Sequence, residues 1–88
     1  MSQDISQNDL QALKLLDYVA GRFEIDAGFP MPGISAGQIP PSLASEFDAG
    51  VVDERRLASL AEQGFLSRIA DLPVFSLTER ALKAVHSA

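Results

Sequence analysis

The sequence predicts a single, mainly helical domain (residues 1–88) closed by a small β-hairpin. Three observations carry this. Helix start signals recur along the chain with one grammar, a capping side chain followed by apolar residues at helical spacing. Two short β-rich runs, residues 65–69 and 74–77, flank a turn at Ala70-Asp71-Leu72-Pro73. Hydrophobic residues make up 47% of the 88, enough for a core in one domain of this length, and with no Cys that core must hold without disulfides.

The first helix opens at Ser6, whose hydroxyl can cap free backbone N–H groups; Asp9 follows three residues on, and Ile5 and Leu10 have the spacing of a hydrophobic staple. Residues 1–6 before it are expected to be flexible. The helix is expected to reach Phe23. At about 100° per residue, Ala12, Leu13, Leu16, Val19, Ala20 and Phe23 share one arc, the core side. Leu10, Leu15 and Tyr18 fall outside it, either as flank contacts to another element or as a dimer seam or partner surface. Residues 24–37 hold Pro30, Pro32, Gly28, Gly33 and Gly37, which predicts a long loop; its apolar Phe29, Met31 and Ile34 should pack it onto the domain.

Gln38-Ile39-Pro40 reads as a very short strand. Pro41 suits the first turn of a second helix built on Leu43, Ala44 and Phe47, and Asp48-Ala49-Gly50 ends it, with Gly50 able to take positive φ. Asp53 caps a third helix, Val52 staples to Leu57, and Leu57, Leu60 and Ala61 form the buried face. Gly64 stops that helix before the hairpin. Thr78 caps a last helix, from Glu79 towards His86. Glu79 in its first turn and Lys83 and His86 in its last complement the helix dipole.

The net charge is −5, and it is unevenly spread. Residues 1–48 carry Lys14 and Arg22 against seven acidic residues, while 49–88 balance five against five, so all the excess acid lies in the first half. Only the second half has the local basic content that phosphate binding needs. An enzyme is not expected. The single His86 stands near the C-terminus, and there is no Cys nucleophile, no paired His for a metal and no phosphate loop. The acidic pairs, such as Glu24 with Asp26, lack apolar neighbours that would tune them for proton transfer. No cofactor and no metal are expected. The opening MSQDISQNDL has neither a basic start nor an apolar run, so no signal peptide is expected. No run approaches the roughly 18 apolar residues of a membrane span, and a soluble, cytoplasmic protein is the expectation.

Two phrases carry a resemblance: Leu60 with Gly64-Phe65-Leu66, and Leu77-Thr78-Glu79-Arg80. The stretch resembles MarR-like and related bacterial winged helix-turn-helix regulators. In those families the first phrase ends the recognition helix and the second closes the wing. The resemblance covers residues 39–86 and is only topological over 1–23. It implies a small DNA-binding transcriptional regulator, acting as a homodimer on double-stranded DNA. Arg55, Arg56, Ser59 and Gln63 would face the major groove and Arg68 would reach phosphate from the wing. Two departures stand against it. The wing tip, Ala70-Asp71-Leu72-Pro73, lacks the usual basic residues, and no long flanking helices are to spare for a dimer. Asp53 and Glu54 would also face a polyanion. The alternative is an acidic winged-helix protein-interaction module, an adaptor or inhibitor of a nucleic-acid-binding partner. It would engage a basic protein through Leu10, Leu15, Tyr18 and the acidic first half. On the residues alone both readings stand.

Overall fold

The structure, a computed structural model, describes residues 5–87. Residues 1–4, part of the stretch expected to be flexible, lie outside the described residues. Helix α1 spans Gln7–Ala27, and the Ser6 hydroxyl accepts the Asp9 N–H at 3.1 Å. It runs a turn beyond Phe23. No residue from Glu24 to Ala27 breaks a helix, and the stop comes only at Gly28, whose N–H still donates to the Glu24 carbonyl at 2.9 Å and whose φ of 82° then turns the chain out of the helix. The expected loop therefore loses its first four residues to the helix.

The short strand expected at 38–40 is replaced by a 3-10 turn at Ala36–Gln38, in which the Gln38 side chain reaches back to accept the Ser35 N–H at 2.8 Å. Strand-like pairing occurs upstream instead. Ile34 exchanges two backbone hydrogen bonds with Phe75, at 2.7 and 2.8 Å. Gly33 makes this approach possible, because a Cβ there would overlap the side chains of Val74 and Ile69.

Helix α2 spans Pro41–Glu46, with Pro at its start as expected. It stops at Asp48-Ala49-Gly50 as expected, and Gly50 takes φ 76°; the capping bonds themselves are made one step earlier, at Asp48 and Ala49. Asp48 takes φ 57°, its N–H donates to the Ser45 carbonyl, and the Ala49 N–H donates to the Ala44 carbonyl, both at 3.0 Å. That is the double bond pattern of a Schellman stop, sealed by buried Ala44 and Ala49. Helix α3 spans Glu54–Glu62; Asp53 caps it by accepting the Arg56 N–H at 2.8 Å, and Gly64, at φ 88°, ends it.

Strands β1 (Leu66–Arg68) and β2 (Phe75–Leu77) pair antiparallel, with Leu66 opposite Leu77 and Arg68 opposite Phe75. Helix α4 spans Glu79–Ser87. Thr78 joins its start to the end of α3: the hydroxyl donates to the Gly64 carbonyl at 2.7 Å and accepts the Ala81 N–H at 3.3 Å.

The core is filled by Leu13, Leu15 and Leu16 of α1, Leu57 and Leu60 of α3, and Phe65 and Phe75 beside the hairpin, with Ala81 and Ala84 of α4. Helix α1 packs against α4, α2 and β2. Elements on several sides widen its buried arc beyond the one stripe that helical periodicity predicts. Of the two places expected for Leu10, Leu15 and Tyr18, the flank contact holds for Leu15, a core residue with no exposed area, and for Leu10, half-buried against the core, which corrects their place on a partner surface. Of the three residues expected on that surface, Tyr18 is the exposed one. Among the described residues no helix is long and apolar enough to cross a membrane.

Candidate functional site

Helix α3 buries Leu57 and Leu60 and turns Arg55, Ser59, Glu62 and Gln63 to solvent. By helical spacing Arg55, Ser59 and Glu62 lie along the middle of the outer face, so a carboxylate shares the line with the arginine. Gln63 Nε2 donates to the Ser59 carbonyl at 3.3 Å and lies 3.5 Å from its hydroxyl, which ties both polar side chains to the helix.

Arg56 does not join this face, which corrects its expected place in a groove-facing set. Its Nε donates to Asp9 Oδ1 of α1, and its Nη1 donates to the carbonyls of Ala49 and Val51, all at 3.0 Å. Both side chains of the ion pair are only 21% exposed. Next to a core position on α3, the guanidinium finds a carboxylate and two loop carbonyls in a fork that suits its planar donors. It is a strut between α1, α3 and the α2–α3 loop.

On the hairpin side, Arg68 is exposed, with its guanidinium carbon 5.0 Å from the centre of the Phe75 ring. Arg80 lies 4.7 Å over Phe65 in the same way. Both shield an aromatic ring with a charged group that still meets water. Arg55, Arg68, Arg80 and Lys83 share this half of the sequence with five exposed carboxylates, Asp53, Glu54, Glu62, Asp71 and Glu79. Glu79 pairs with Lys83 at 3.3 Å. With Arg56 matched by Asp9, the exposed charge of this half is not basic.

Of the other surface, around α2, sequence reasoning named only Tyr18 and missed the grooves on either flank of the helix. Tyr18, 46% exposed, stacks at a tilt on Phe47 with ring centres 5.5 Å apart. It lines a groove of about 330 Å³ with Arg22, Pro40, Leu43 and Glu46. On the opposite flank of α2 lies a groove of about 390 Å³ lined by Ile39, Pro41, Ala44, Asp48, Val51 and Val52. The sequence held one signal for it. A staple onto Leu57 needs only Val52, which leaves Val51 without a structural task, and Val51 is 76% exposed.

Among the described residues no three His, Cys, Asp or Glu side chains gather where a metal could bind, and no buried side-chain polar atom lacks a partner.

No family model, no curated protein and no solved structure matches this chain.

Proposed function

We propose that this chain is a winged-helix module that works by binding a basic protein, and that it is neither an enzyme nor a reader of DNA sequence. The pairing of Ile34 with Phe75 supports the winged-helix part. It adds a one-residue third strand beside β2, so that the hairpin follows α3 as a wing follows its recognition helix.

The single observation that carries the choice of ligand is the strut made by Arg56. A side chain suited to phosphate or guanine is held by Asp9 and two carbonyls, and the outer line of α3 keeps Arg55 beside Glu62. Over residues 49–88, four exposed cations set among five exposed carboxylates are a poor basis for the dense phosphate contacts on which DNA affinity depends. The acidic first half gives the domain a field that draws cationic partners.

The test is a fluorescence anisotropy titration with a labelled random duplex at low salt, beside an Arg55→Ala/Arg68→Ala variant. No saturable binding is expected for either protein. Binding that weakens with salt and disappears in the variant would overturn the proposal. It would establish the second reading, a DNA-binding regulator, which is favoured by the joint exposure of Arg55, Ser59, Gln63 and Arg68.

A further inference from the structure

The groove between α2 and the α2–α3 loop combines a largely apolar lining with one exposed carboxylate. Its lining is largely apolar, from Ile39, Pro41, Ala44, Val51 and Val52, with Ser45 and Asp48 as its polar side chains. Its volume of about 390 Å³ falls among clefts that hold ligands, roughly 300–1,000 Å³. Asp48 is the one charged side chain in its lining, and neither described ion pair involves it. The wall is fixed before anything binds, because Arg56 holds the carbonyls of Ala49 and Val51 from behind. A wall already ordered adds little entropy cost to binding.

Asp48 itself sits at a left-handed helix stop, φ 57°, where α1 and α3 end on Gly28 and Gly64. Asp is among the residues that tolerate this backbone, and the turn leaves its carboxylate exposed at the groove.

We propose that this groove seats one large apolar side chain of a basic protein segment, with a neighbouring lysine or arginine of that segment paired to Asp48. The proposal rests on the reading of the domain as a protein-binding module and adds the docking place and the chemistry of the anchor. The charge argument fixes the occupant. The groove offers a carboxylate and no cation in its lining, and the whole chain carries −5.

The test follows backbone amide resonances of the full chain by NMR. The probes are a short lysine-rich peptide with one central leucine, the same peptide with alanine in that place, and a short DNA duplex. The leucine peptide should shift Ala44, Ser45, Gly50, Val51 and Val52 saturably, and the alanine peptide should bind roughly tenfold more weakly. Asp48→Asn keeps a residue that tolerates left-handed backbone, and Val51→Ser alters only an exposed lip; each should weaken the leucine peptide about tenfold.

Shifts confined to Tyr18, Glu24 and Asp26 would overturn the groove and leave the protein-binding reading standing. Equal affinity for the two peptides, no response to either, or indifference to Asp48→Asn would also overturn the groove. A response to the duplex alone would remove both proposals. Concentration-dependent shifts at the groove without peptide would assign it to a second copy of the chain instead.

Discussion

Replacing Arg56 by alanine separates a strut from a ligand contact. The change deletes three hydrogen bonds of 3.0 Å from one charged donor group. Hydrogen bonds to charged groups contribute about 1.5–3 kcal/mol each when water cannot replace them. Here two of the three are discounted. The Val51 carbonyl is at the surface, and the Asp9 pair is one-fifth exposed, so each is worth about 0.5 kcal/mol after solvent screening. The half-buried Ala49 carbonyl keeps the larger share, about 2 kcal/mol. The sum is about 3 kcal/mol, a large part of the stability of a small domain. At about 4–8 °C per kcal/mol, the melting temperature should fall by about 12–24 °C. Arg55→Ala, on the neighbouring exposed position, should stay within about 0.5 kcal/mol of the parent. Denaturant unfolding followed by circular dichroism measures both. Adding Asp9→Asn completes a double-mutant cycle, in which a coupling of at least about 0.5 kcal/mol is expected. Arg56→Ala and Arg55→Ala of equal stability would refute the strut.

Three further changes test other joints. Leu15→Ala should cost about 2–5 kcal/mol, because the side chain is fully enclosed, whereas Tyr18→Ala should cost far less; paired denaturant midpoints decide between a core and a surface place for Leu15. Thr78→Ala removes the cap of α4 and the hydroxyl bond to Gly64, and should lower stability by about 1–2 kcal/mol, read as faster amide exchange at Ala81 and Leu82. Asp48→Gly relieves a left-handed side chain and should raise the melting temperature by a few degrees, roughly 0.5–1 kcal/mol; a loss of stability would mean that the carboxylate itself holds the loop.

What could be read from the sequence was local. Ser6, Asp53, Thr78 and Gly64 act within a few residues of themselves, so spacing alone located three helix starts, one stop and the hairpin between Phe65 and Leu77. Features set by distant contacts could not be read in this way. Asp9 and Arg56 are 47 residues apart, and nothing near Arg56 distinguishes it from Arg55. Leu15 lies outside the arc that one packing partner would bury, and it is buried because α1 has several. Ile34 pairs with Phe75 from inside a stretch whose prolines and glycines read as loop, although Gly33 beside it marks a close approach. Gly50 takes the positive φ expected of it, but Asp48 is left-handed too, which spacing did not reveal and which Asp tolerates better than most residues.

The role of Arg56 can be observed without altering it. Arginine Nε–H resonances report each guanidinium separately, and their exchange with water slows when the proton is held in a bond. The Arg56 signal should exchange slowly, stay in place when Arg55 is replaced, and collapse to the exposed position in Asp9→Asn. An Arg56 Nε–H that exchanges as fast as that of Arg55 in the unaltered protein would show the side chain free for an outside ligand, and the case against DNA binding would fall with it.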